Sequence, residues 1–140
     1  MNMTELQSAL PGLMGGLYIT LKVLFLAILG GLTLGTILAL MRLSGIKLLA
    51  IPAKLYVNFF RSVPLLLVLL WFYFAVPMVY NLVTGTYLTL DTAFTSCVVA
   101  FMVFEAAYFS EIVRAGIQSI GNGQVNAAKS LGMTYRQTMR

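Results

Sequence analysis

The chain runs through long apolar blocks, separated by short segments that hold most of its charges. Three blocks are long enough to cross a bilayer, which takes about 20 residues in a helix. The first extends from about Gly16 to Met41 and is broken only by Lys22 near its start. The second extends from about Val63 to Val83, with Pro64 and Pro77 inside it, and the third from about Thr92 to Val113, carrying Glu105 and Glu111. A polar, glycine-punctuated stretch follows over about 121–135 and reads as a short cytoplasmic helix. The fold class expected is therefore an all-α integral membrane protein with three transmembrane helices and one further helix outside the bilayer.

The weaker patterns refine this outline. Between the first two spans, Leu49, Ala53, Tyr56, Val57 and Phe60 recur at helical spacing, with Lys54 off the stripe and Pro52 within. That segment reads either as a surface-lying helix or as an extension of the second span. Within the first span Gly31, Gly35 and Ala39 recur every four residues. Small residues at this spacing let another backbone approach closely, which predicts an internal or interface position for the helix.

Composition changes the picture by exclusion. The chain is 60% hydrophobic and 9% charged, with mean hydropathy +0.93, whereas an ordinary soluble domain carries about 25% charged residues. The lipid bilayer is the solvent that fits. The net charge of +5 does not point to nucleic acid, because the bases sit in gaps between apolar blocks and form no stripe with exposed aromatics. Arg42, Lys47, Lys54 and Arg61 follow the first span, and Arg114, Lys129, Arg136 and Arg140 follow the third. The stretch before Gly16 and the loop Thr84 to Asp91 hold no Lys or Arg, so the N-terminus is expected outside and the C-terminal stretch inside. Lys22 lies close enough to the outer end for its ammonium to reach the interface. The N-terminus lacks a basic region and a cleavage site, so the first span is expected to be retained. Cys97 has no partner, no phosphate loop is present, and nothing suggests a metal, a cofactor or a nucleophile–base constellation.

The carboxylates within the third span carry more information, since a charge in a bilayer is costly and faces a cavity or a partner. Glu111 stands three residues before Arg114, so the two are expected as a structural pair at the cytoplasmic boundary. Glu105 sits beside Ala106, Ala107 and Tyr108, where a narrow helix side would suit a cavity wall. It reads as a candidate for holding an ammonium group, or equally as the partner of a basic side chain on another helix.

Two runs resemble a known family. Phe60-Arg61-Ser62-Val63-Pro64-Leu65-Leu66 is similar to the F-R-G/S-x-P-L-L element of permease subunits from ATP-binding-cassette importers of polar amino acids. Asn126-Ala127-Ala128 followed by Gly132 resembles the first half of their cytoplasmic E-A-A-x-x-x-G signature, with Asn in place of Glu and Gly121 where Pro is usual. Val68 stands where such permeases often carry Gln, and the apolar-aromatic run Val68 to Tyr73 is similar to that of glutamate/aspartate permeases. The resemblance extends from Leu10-Pro11-Gly12 onward and implies the N-terminal part of a five-helix permease domain.

It implies the rest of the assignment as well. Gly123, Gln124, Asn126, Ala127, Ala128, Leu131, Gly132 and Met133 would form the knob that docks into an ATP-hydrolysing subunit, with Asn126 capping the helix start and Gly132 ending it. Glu105 and Tyr108 would line the substrate path. The partners implied are ATP-binding subunits, a second permease subunit (identical or sibling) and a periplasmic or extracellular amino-acid-binding protein, in a bacterial inner membrane. The chain itself would be no enzyme. An ion-coupled secondary transporter or channel fragment, with Glu105 as cation site, is the alternative.

Overall fold

The computed structural model describes residues 3–87 and 91–138; within it, the side chains of 3–6, 122, 125, 135 and 136 are not described. Arg136, Arg140 and part of the Thr84–Asp91 loop, all used in the charge reading, therefore lie outside the described side chains or residues. The described residues form six helices: α1 (Met3–Leu43), α2 (Lys47–Ser62), α3 (Leu65–Thr84), α4 (Thr92–Gln118), α5 (Asn122–Ser130) and α6 (Tyr135–Thr138). Three of them, α1, α3 and α4, are long and apolar enough to cross a membrane.

Helix α1 departs from the pattern that opens the first span at about Gly16. It begins at Met3 and passes through Pro11, reaching about 60 Å at 1.5 Å per residue. Pro11, Gly12, Gly15 and Gly16 disfavour a helix interior, so the sequence pattern gives no sign that the helix runs unbroken through them. Threonines inside the span are satisfied locally. Thr33 and Thr36 each donate to the carbonyl four residues earlier at 2.7 Å, as an apolar solvent demands.

The main contact is the seam between α1 and α4, two helices that run in the same direction. Ala27, Gly31, Gly35 and Ala39 are buried along it. A Cβ on Gly35 would stand 2.7 Å from Phe109 Cβ and 2.8 Å from the Ala106 carbonyl oxygen; on Gly31 it would stand 3.1 Å from Glu105 Cβ. Close backbone approach is what holds such a pair in lipid, where apolar burial between helices gains little over apolar contact with acyl chains.

The structure separates the two readings of the segment after α1. Helix α2 is distinct from α3, since Val63 and Pro64 are extended (ψ 135° and 137°) and break the chain between them. It lies against α1 and α4. Ala53 and Val57 are buried, Tyr56 and Phe60 half-buried, and Tyr56 Oη donates to the Val103 carbonyl at 2.7 Å. Burial pushes the Tyr56 hydroxyl up to about 12, so it remains a donor throughout the physiological range.

Pro64, already without an N–H, stands just before the first turn of α3, where that loss is harmless. Val68, the residue in place of the usual Gln, is fully buried against Ala100 and Phe104, with Phe60, Val63, Leu65, Leu69 and Phe72 around them. Gly85 closes α3 at φ 69°, its N–H on the Asn81 carbonyl, and Asp91 caps α4 by accepting from Phe94 N.

Candidate functional site

At the end of the bundle where α1, α2 and α4 meet, one carboxylate gathers three guanidinium groups. Arg114 lies one turn further along α4 and donates to Glu111 Oε2 through Nη2 at 2.7 Å and Nε at 3.0 Å. Arg42, in the last turn of α1, reaches Glu111 Oε1 at 2.9 Å, and Arg61, in the last turn of α2, reaches the same oxygen at 3.1 Å. Both cations from the other helices sit at helix C-termini, where the macrodipole favours positive charge. The sequence pairs Glu111 with Arg114; the structure adds Arg42 and Arg61, so the pair is one edge of a three-helix clasp. Arg114 also donates to Gln118 Oε1, and the Arg61 guanidinium stands 5.9 Å from the Tyr108 ring centre.

Among the described residues, Glu105 and Tyr108 line different cavities. Glu105 lies on an apolar groove of ≈ 610 Å3 between α1 (residues 19–28) and α4, where Cys97 and Phe101 line the wall. Its carboxylate makes no ion pair or hydrogen bond with a described residue. Tyr108 instead lines a polar cavity of ≈ 450 Å3 with Asn58, Arg61 and Ser62, beside the α2–α3 break. The first site offers one carboxyl group without a described partner in apolar surroundings; the second offers several donors around a cation. Among the described residues, Ala106 and Ala107, the small residues of the narrow-side reading, line neither of these two cavities. Both alanines are fully buried, and Ala106 presses its backbone on Gly35. Small residues in a membrane helix serve close packing and lumen walls alike, and sequence does not separate the two.

Lys22 lies near the opposite end of the bundle, with its Nζ 5.1 Å from the Phe94 ring centre at the start of α4. This places the exceptional cation at the end that otherwise lacks Lys and Arg, as its position in the sequence suggests.

Helix α5 stands apart. It touches α6 and none of α1 to α4. Gly123, Gln124, Asn126, Ala127, Leu131, Gly132 and Met133 are exposed, Leu131 to 80%, and Ala128 is half-buried. Its end is sharply built: Gly132 has φ 73°, its N–H meets the Lys129 carbonyl at 3.0 Å, and Met133 N–H meets the Ala128 carbonyl at 3.1 Å. These two bonds make a Schellman motif, which calls for a residue without a Cβ at the left-handed position. Asn126 does not cap the helix start as expected. The helix opens four residues earlier, behind Gly121 and with no side-chain cap, and Asn126 lies inside it with its carbonyl accepting from Ser130 Oγ. Gly121, extended at ψ 145°, supplies the entry turn for which Pro is usual.

Over residues 31–140 the chain matches the family described as binding-protein-dependent transport system inner membrane component. It is 53% identical over 132 residues to the glutamate/aspartate import permease protein GltK of Escherichia coli O6:H1, covering 94% of this chain and 59% of that protein. It is 38% identical to the probable amino-acid ABC transporter permease protein YckA of Bacillus subtilis, over 93% of this chain and 54% of that one. It is also 38% identical to the probable glutamine permease GlnM of the same species, over 99% and 61%. Among solved structures, the crystal structure of an amino acid ABC transporter with histidines matches with a TM-score of 0.82 at 37% identity, over 100% of this chain and 62% of that one. The chain thus spans about six-tenths of the length of the relatives it matches. With three apolar helices of spanning length and this match over most of its residues, the chain belongs to the family of inner membrane components of binding-protein-dependent transport systems.

Proposed function

We propose that the chain is part of the permease subunit of an ATP-driven importer of acidic amino acids, glutamate and aspartate. The observation that carries the substrate class is the 53% identity to a permease named for glutamate/aspartate import, against 38% for one named for glutamine. Family membership favours this reading over an ion-coupled carrier, in which Glu105 would be a cation site.

The proposal divides the labour between this chain and its partners. ATP is bound and hydrolysed on a separate subunit. The surface formed by Gly123, Gln124, Asn126, Ala127, Leu131, Gly132 and Met133, with half-buried Ala128 beside them, docks there and passes the motion on. A nine-residue helix with no contact on the bundle has little to hold its orientation except a partner. Glu105 and Tyr108 belong to the substrate path, the first toward the substrate's ammonium, the second among donors suited to a carboxylate. The Glu111–Arg114 pair, with Arg42 and Arg61, is structural. A second permease subunit completes the path, a periplasmic or extracellular binding protein delivers the amino acid, and the N-terminus faces outward.

The test is ATP-dependent uptake of labelled L-glutamate by the full-length permease, reconstituted with its co-purifying subunits, with L-glutamine as competitor. Uptake that needs ATP and ignores glutamine is the expected result. Uptake of glutamine instead would overturn the substrate class, and uptake without ATP would overturn the importer.

A further inference from the structure

One basic side chain near the clasp takes no part in it. Lys54, on α2, makes no ion pair or hydrogen bond with a described residue. It lines a pocket of ≈ 240 Å3 with Arg42, Arg114 and Gln118 at the basic end of the bundle. The charges at that end do not balance. Three guanidinium groups share the single carboxylate of Glu111, which leaves two positive charges unmatched among the described residues, and Lys54 adds a third. The Arg42 side chain is only 12% exposed, so water compensates it poorly. One Arg42 nitrogen is engaged with Glu111, and a guanidinium has five N–H donors to place.

Beside this pocket, α2 turns a second apolar face outward. Leu48, Ile51, Leu55 and Phe59 are exposed, at 83%, 56%, 65% and 51%, on the side away from buried Ala53 and Val57. Ile51 lies three residues before Lys54 and so borders it on the helix surface. An amphipathic helix at the headgroup level buries such a face among acyl chains, with its cations at the phosphates.

We propose that the pocket formed by Arg42, Lys54 and Arg114 holds the phosphate of an anionic phospholipid, whose acyl chains cover Leu48, Ile51 and Leu55. A phosphodiester supplies the missing negative charge, accepting from Lys54 Nζ and from unused N–H groups of Arg42. A zwitterionic headgroup brings its own ammonium against the same cations and is disfavoured. The site lies at the basic end of the bundle whichever leaflet that end meets, and it does not depend on the substrate carried.

The experiment is native mass spectrometry of the full-length permease in its complex, released from nanodiscs of mixed phosphatidylglycerol and phosphatidylcholine. The wild type retains one more phosphatidylglycerol per permease copy than Lys54→Gln, whose retention falls about fivefold, the effect of roughly 1 kcal/mol for one basic side chain at an anionic surface. Lys54→Arg restores it, and Ile51→Ser lowers it without altering the charge. Equal retention in Lys54→Gln and wild type would overturn the proposal, as would equal retention of phosphatidylcholine. Inorganic phosphate provides the remaining arm. If it displaces the lipid and raises the melting temperature of the delipidated protein in a Lys54-dependent way, the site serves soluble phosphate and the lipid assignment fails.

Discussion

The α1–α4 seam and the α5 segment are built from the same small residues, which end in opposite surroundings. In the seam Gly31, Gly35, Ala39 and Ala106 are buried, and the glycines are required by space, because a Cβ at Gly35 would overlap Phe109 and the Ala106 carbonyl. In α5 Gly123 and Ala127 are exposed, and Gly132 is required by conformation: nothing lies within 4 Å of where its Cβ would be, but its φ is 73°. One region is complete within this chain. The other keeps a fixed shape and presents it outward. A glycine that avoids a clash marks an interior contact, and a glycine at a positive φ marks a helix end.

Substitutions at these positions should separate the two regions. The largest effect is expected from Gly35→Leu, which drives a side chain into Phe109 and the α4 backbone. Overpacking of this kind costs about 3 kcal/mol or more, and most of the folded permease should disappear from membranes, read by thermal unfolding in detergent. Survival with an unchanged melting temperature would mean that α1 and α4 are not locked as described. Next comes Gly132→Leu. It adds a left-handed strain of about 1–2 kcal/mol, enough to reduce the docked geometry about tenfold. Uptake should fall while ATP hydrolysis persists and the amount in the membrane is unchanged. Unchanged uptake would remove the coupling role.

Glu105→Gln should impair transport and leave association with the ATPase intact, since the carboxylate faces a groove and binds no described residue. Normal transport would make it structural or dispensable. The smallest effect is expected from Tyr56→Phe, which removes the bond to the Val103 carbonyl at a cost of about 1 kcal/mol. The same hydroxyl predicts a pH dependence. Its value is raised from 10.0 to about 12, so its contribution is present below pH 10 and lost as pH rises from 10 toward 12. Tyr56→Phe should therefore flatten the alkaline limb of a stability–pH curve, and an unchanged limb would assign that limb to other groups.

Much of this was legible in the sequence. Apolar blocks of spanning length are forced by the bilayer, so α3 and α4 fall where hydropathy puts them, and Gly31, Gly35 and Ala39 line the seam because a four-residue period is one face of a helix. The Glu111–Arg114 contact follows from spacing alone. Arg42 and Arg61 could not be found that way, since their place beside Glu111 depends on where α1 and α2 end in space. The signal was present in part: both are the last basic residues of their helices. Val68 reads as a gap in a motif and proves to be the centre of a packed cluster with Ala100 and Phe104. The outward apolar face of α2 leaves no separate signal, because the inward stripe accounts for the helix by itself. The polar amide of Asn126 suits a helix start as well as a solvent-facing interior, and Gly121 gives no side-chain signal of the true start.

If α5 docks an ATP-hydrolysing partner as proposed, cross-linking should separate it from the opposite end of α1. Ala127→Cys and Leu17→Cys, each exposed in this chain, can be placed in the full-length permease and treated with a short bifunctional cross-linker in native membranes. The account predicts that Ala127→Cys yields a product containing an ATP-binding polypeptide, identified by mass spectrometry, and that Leu17→Cys yields none. The same product from Leu17→Cys alone, or from both positions equally, would contradict it.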